Sequence, residues 1–145
     1  MPDNVTALCL AASDTPRDLI LEEASRSITT GQLVTGPHLS MWGDRVGTRT
    51  VHATTLDLLT DRYGVPDFVK IDVEGAEVLV LAGARHLLAV HHPRLIVEVH
   101  HADNGPLIRD LLAGYRLTEL RHGEYVKPGG DIYRNHYWLT GEWDG

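Results

Sequence analysis

Two short clusters bring together the residue types used for acid–base work and metal ligation. The first is Lys70-Ile71-Asp72-Val73-Glu74-Gly75, and the second is Glu98-Val99-His100-His101. Each closes an apolar, β-rich run. Alternation along an extended chain therefore puts Lys70 and Asp72 on one face and Val69 and Ile71 on the other. By the same rule Glu98 and His100 share a face of the next run. A lysine in a buried strand is costly unless its ammonium meets a carboxylate. Glu98 is the expected partner of Lys70 across adjacent strands, which leaves Asp72 and His100 over the crevice at the strand ends. Purely structural roles compete: Asp72 as a helix cap, Glu74 as a favourable charge at a helix start, and Gly75 as a permissive turn residue. For Glu74 and Gly75 the structural role is preferred; for Asp72 the two stand level.

Nine histidines invite a metal reading, with Asp72, Glu98, His100 and His101 ligating zinc or a harder ion. The spacing speaks against it. There is no HExxH, and no HxH with a distant third ligand at a familiar spacing; His91-His92 and His100-His101 fall in expected turns. No metal is therefore expected. Ser13, Ser25, Ser27 and Ser40 lack a GxSxG context, and neither GxGxxG nor GxxxxGK[ST] occurs. The single cysteine, Cys9, excludes an internal disulfide and reads as a small core residue.

These clusters need strands and helices to hold them. Val5–Ala12 is a short apolar run expected to be a buried strand, with turn residues after it. Leu19–Leu21 and Thr50–Ala53 read as strands flanking a glycine-rich hairpin or loop. Thr54, followed three positions later by Asp57, predicts a capped helix carrying Leu56, Leu59 and Tyr63 up to Gly64. Phe68–Asp72 is a strand, Ala76–Val90 a nearly all-apolar helix, and Arg94–Val99 another strand. A helix opens at Asp103-Asn104-Gly105-Pro106 and closes at Gly114; Tyr115–Leu120 and Ile132–Leu139 read as two last strands. Strands alternating with helices imply an α/β fold with a parallel sheet, helices on both faces and an antiparallel edge.

The 145 residues, 16.1 kDa, suffice for one domain with a core that needs no disulfide or structural metal. Thirteen basic against twenty acidic residues give a net charge of -7, which argues against nucleic acid as a partner. No signal peptide or apolar run long enough for a membrane span appears, so a cytoplasmic protein without membrane contact is expected.

The stretch from Thr54-Thr-Leu-Asp57 through Phe68-Val-Lys-Ile-Asp-Val-Glu-Gly-Ala-Glu77 to Val80-Leu-Ala-Gly-Ala84, continued by His92-Pro-Arg-Leu-Ile-Val-Glu-Val99, resembles the FkbM family of S-adenosylmethionine-dependent methyltransferases. Ala11-Ala12-Ser13-Asp14 is similar to the A-x-S-D ending of that family's third strand. The resemblance implies a Rossmann-like methyltransferase fold, mostly parallel with an antiparallel last strand. It also implies methyl transfer from S-adenosylmethionine, usually to a hydroxyl oxygen. Carried over by position, Ala11, Ala12, Ser13 and Asp14 would lie beside the adenine. Asp72 would sit near the sulfonium and the acceptor, and Glu98 and His100 would border the acceptor pocket. Such a reaction needs an acceptor oxygen aimed at the methyl carbon and relieved of its proton. Asp72 or His100 is the expected base: His100 starts nearer the working range, whereas Asp72 needs burial to raise its pKa.

The family's glycine-rich turn after its first strand, and the ribose-binding acid after its second, have no counterpart here. The expectation is thus a single, partial domain over residues 1–145, N-terminally truncated and lacking the first βαβ unit. Two further functions compete with methyl transfer to a small molecule or glycan: a non-catalytic module acting through a partner, and a metal-dependent hydrolase. The acceptor pocket is expected to draw on residues 25–50, and Trp42, Trp138 and Trp143 are candidate lining residues, with packing as their preferred role. A missing pair of strands would leave the edge of the Phe68–Asp72 strand open, so a homodimer or a covering partner is expected.

Overall fold

The computed structural model describes residues 4–24, 31–33, 45–101, 103–120, 125–126, 132–133 and 137–144. A first sheet contains β1 (Ala11–Ala12), β2 (Arg17–Ala24), β3 (Gly31–Leu33) and β4 (Arg45–Thr54), in the order β1-β4-β2-β3. The two expected strands flanking the glycine-rich stretch form its centre: β2 and β4 pair antiparallel from Arg17↔Ala53 to Ala24↔Arg45, while β3, between them in the chain, pairs the other side of β2. The second sheet holds β5 (Phe68–Ile71), β6 (Arg94–Val99), β7 (Tyr115–Leu120) and β10 (Tyr137–Trp143), in the order β5-β6-β10-β7. A separate pair joins β8 (Tyr125–Val126) to β9 (Ile132–Tyr133).

The chain is thus mixed α/β, and among the described residues there are two main sheets with parallel pairing only at β5–β6 and β1–β4. The connections explain this departure from a mostly parallel sheet. Parallel neighbours need a crossover, and β5 reaches β6 through helical segments, whereas β2 pairs antiparallel with both β3 and β4. β10 runs antiparallel to both neighbours, as expected for the closing strand, but it lies between β6 and β7 rather than at the edge.

Among the described residues, three helices, α1 (Leu56–Tyr63), α2 (Glu77–Ala82) and α3 (Asn104–Leu111), and a π-helical segment (Leu87–His91) join the strands. Val80, Leu81, Ala84, Leu88, Ile108 and Leu112 pack with Ile71, Leu95, Val97, Val99 and Leu139 of the second sheet in one apolar core. That core covers one sheet face. Lys70, Ile96, Glu98, Trp138 and Thr140 alternate onto the other face, and none of them is buried.

Three expectations need correction. Of Val5–Ala12 only Ala11 and Ala12 are strand, and Val5, Leu8, Leu10 and Cys9 are exposed. Among the described residues no strand pairs with residues 5–10, and the exposed Cys9 is not a core residue. The Ala76–Val90 helix is divided at Gly83, where an added Cβ would stand 2.0 Å from the Ser13 carbonyl oxygen. Close approach of that strand end requires the glycine, and the chain turns before resuming. Finally, α1 is capped by Thr55, whose Oγ1 accepts from the Leu58 N–H at 3.1 Å. Asp57 serves a different helix: its carboxylate accepts from the His86 and Leu87 N–H groups at 3.0 and 2.9 Å.

Candidate active site

The β5–β6 register pairs Lys70 with Ile96 and Ile71 with Val97. Continued by one residue, it brings Asp72 level with Glu98, and Trp138 lies opposite Glu98 on β10. The strand-end residues therefore meet on one face, as alternation requires. The ion pair within the group differs from expectation. Lys70 Nζ donates to Asp72 Oδ2 at 2.8 Å, two positions along its own strand, and lies 5.3 Å from the centre of the Trp138 ring. Asp72 and Glu98 come together at the strand ends, each with a carboxylate oxygen within 4.8 Å of the other and of a His100 ring nitrogen.

His100 is the centre of this cluster. Its Nδ1 is 2.7 Å from Glu77 Oε1, and its Nε2 stands 3.6 Å from Glu74 Oε2 and 3.8 Å from Asp72 Oδ1. Glu77, at the start of α2, is fully buried and held from three sides. The Gly75 N–H donates to Oε1 at 2.8 Å, and the Asn104 side-chain amide donates to Oε2 at 3.0 Å and to the Gly75 carbonyl at 3.1 Å. The loop reaches these positions through left-handed backbone at Glu74, φ 50°, and Gly75, φ 102°. A Cβ at Gly75 would also stand 2.9 Å from the His101 ring. Gly75 thus has the permissive turn role that its type suggests.

Electrostatics follow from these contacts. Burial disfavours the Asp72 carboxylate, but the Lys70 hydrogen bond and charge outweigh it and hold the pKa below the ordinary value. The burial that would have made Asp72 a stronger base is overcome. Burial likewise works against imidazolium at His100, yet the Glu77 hydrogen bond and the Glu74, Glu77 and Glu98 charges raise its pKa. Glu77 is pushed up by burial and brought below its ordinary value by His100, Asn104 and the Gly75 N–H.

Ala11, Ala12, Ser13 and Asp14 stand elsewhere, at the end of β1. Ser13 is fully buried; its N–H donates to the Thr54 carbonyl at 2.8 Å and its hydroxyl to Asp14 Oδ1 at 2.9 Å. Asp14 pairs with Arg17 at 2.7 Å. The bonds that hold this segment run to Thr54 of β4 and to Arg17 of β2. Trp138 flanks the cluster, Trp143 stacks on His92 at 3.7 Å, and Trp42 with most of residues 25–44 lies outside the described residues. Sequence reasoning overlooked Glu77 and Asn104 as site residues. Glu77 carried a readable signal, since it is the one charged residue in Ala76–Ala84 and a charge there requires partners; Asn104 carried none.

This sheet, with acids and a histidine gathered at two parallel strand ends, belongs to a family that can be named. The family model described as the methyltransferase FkbM domain matches residues 2–117, and the chain belongs to this family. Among solved structures, methyltransferase FkbM from Methylobacillus flagellatus KT is similar at 23% identity and a TM-score of 0.45. That match covers 63% of this chain and 23% of the other, so it spans less than a quarter of that protein's length. No curated protein matches the chain. Among the described residues no helix is long and apolar enough to cross a membrane.

Proposed function

We propose that this chain is part of a Rossmann-like, S-adenosylmethionine-dependent O-methyltransferase that acts in the cytoplasm on a hydroxyl of a small molecule or glycan. The observation that carries the reading is the meeting of Asp72, Glu98 and His100 on one open face at the ends of β5 and β6. Strand-end crevices are where open α/β sheets bind ligands. The groups present suit the cofactor in kind. Asp14 is an ionised carboxylate, held below its ordinary pKa by Ser13 and Arg17 against a burial cost, and can accept from an amino group. Asp72 offers negative charge to a sulfonium. Bound S-adenosylmethionine supplies an electrophilic methyl group.

The protein's share is to orient the acceptor and receive its proton. Ionised Asp72 accepts a hydrogen bond from the hydroxyl and gains basicity only as charge develops on that oxygen. His100, whose pKa is raised, is better suited to hold positive charge beside the acids than to serve as a neutral base. Isothermal titration with S-adenosylmethionine and S-adenosylhomocysteine tests the cofactor. Radiolabelled methyl transfer to a panel of hydroxylated acceptors tests the reaction. Asp72→Asn is expected to lower transfer by roughly 100-fold or more while the far-ultraviolet circular dichroism is retained. Failure of the folded protein to bind either cofactor form would overturn the assignment for this chain.

A further inference from the structure

We propose that Asp72, Glu98 and His100 form a binding site for one divalent first-row cation, with Glu77 as the residue that positions His100. Each of the three offers one ligand atom, and these atoms lie within 4.8 Å of one another. Glu98 belongs to β6, while Asp72 and His100 directly follow β5 and β6, so paired backbone rather than a free loop sets the spacing. Ligands drawn from neighbouring parallel strands leave no compact sequence signature, which accounts for the absence of HExxH or a familiar histidine spacing.

Three features favour a cation here over a self-contained polar cluster. First, buried Glu77 engages His100 Nδ1 at 2.7 Å and thereby turns Nε2 toward the carboxylates. A carboxylate behind the outer imidazole nitrogen is the arrangement that fixes tautomer and ring orientation in metal-bound histidines. Second, Nε2 lies 3.8 Å from Asp72 Oδ1, close to the separation that two ligands of one ion keep. With metal–ligand bonds of about 2.1 Å, neighbouring ligands of a tetrahedral ion lie about 3.4 Å apart. Third, Asp72 and Glu98 bring a carboxylate oxygen each within 4.8 Å of one another beside an imidazole nitrogen, and a divalent ion between them balances both negative charges. Lys70 does not obstruct this, because it binds Asp72 through Oδ2 while Oδ1 faces His100. A mixed imidazole and carboxylate set suits Mn2+ or Zn2+ better than Ca2+ or Mg2+, which prefer oxygen throughout.

The test uses Mn2+ alone, added to chelator-treated full chain without methyl donor, and read by electron paramagnetic resonance and calorimetry. The expected result is one ion per chain, with affinity at least tenfold weaker in Glu98→Gln and in His100→Ala. Asp18→Asn, at the exposed Asp18–His52 pair of the first sheet, should change nothing. Glu77→Gln should weaken binding about 10-fold to 100-fold. Should that variant fail to fold, the half-buried Glu98→Gln carries the test, with folding checked by circular dichroism. No stoichiometric binding, or binding unchanged in both Glu98→Gln and His100→Ala, overturns the site. Because no cofactor is present, either outcome stands apart from the success or failure of the methyl-transfer assignment.

Discussion

Glu77 is a fully buried acid with an imidazole, an amide and a backbone N–H on its two oxygens. Removing charge from such a group leaves its partners short of an acceptor, so Glu77→Gln should cost roughly 1–3 kcal/mol in urea unfolding. It should also lower the His100 pKa, which can be read from the imidazole proton shifts by NMR. The pH dependence has two limbs. His100 has its pKa raised in the folded state, so its contribution is complete below its ordinary 6.5 and is lost as pH rises through the folded value. Glu77 has its pKa lowered, so its contribution is present above its ordinary 4.5 and is lost as pH falls through the folded value. Metal-free protein should therefore gain most from this pair between pH 4.5 and 6.5. Alternation was enough to place Asp72, Glu98 and His100 on one face. It could not select Asp72 over Glu98 as the partner of Lys70, because that depends on side-chain reach within a strand; nor could it bring Asn104 to Glu77, which depends on how α3 docks against α2.

At the scale of elements, Asp57 ties α1 to the second half of the helical connection between β5 and β6. Two N–H groups near a helix start are among those left without partners inside the helix, and Asp57 supplies both acceptors. Asp57→Ala should cost roughly 1–2 kcal/mol, and Asp57→Asn less, in equilibrium urea unfolding. The element types between Thr54 and Leu120 were largely readable, because each has a clear apolar period with Gly or Pro at its ends. The need for glycine at position 83 was not, since the backbone that crowds it is that of Ser13, seventy residues away in the chain and in contact only after folding. The same holds for Asp57: its spacing from Thr54 imitates a local capping pair, while its hydrogen bonds go to a helix about thirty residues on.

For the whole molecule, the outer edge of β5 has no partner among the described strands, and Phe68 at its start is 52% exposed. An open edge with apolar residues invites pairing with another chain. The protein should accordingly self-associate through β5 in light scattering, and Phe68→Lys should shift it toward monomer; a wild-type monomer across micromolar concentrations would count against this. The α/β class and the site-bearing parallel pair were legible from alternation of strand and helix. The split into two sheets was not, since apolar period does not reveal which strands become neighbours. The place of β10 has its own consequence. It is a central strand that follows both neighbours, β6 and β7, in the chain, so during synthesis those two emerge with no shared strand between them. The second sheet cannot close until residues 137–143 leave the ribosome, and the nascent protein must carry Asp72 and Glu98 on an unfinished sheet until then.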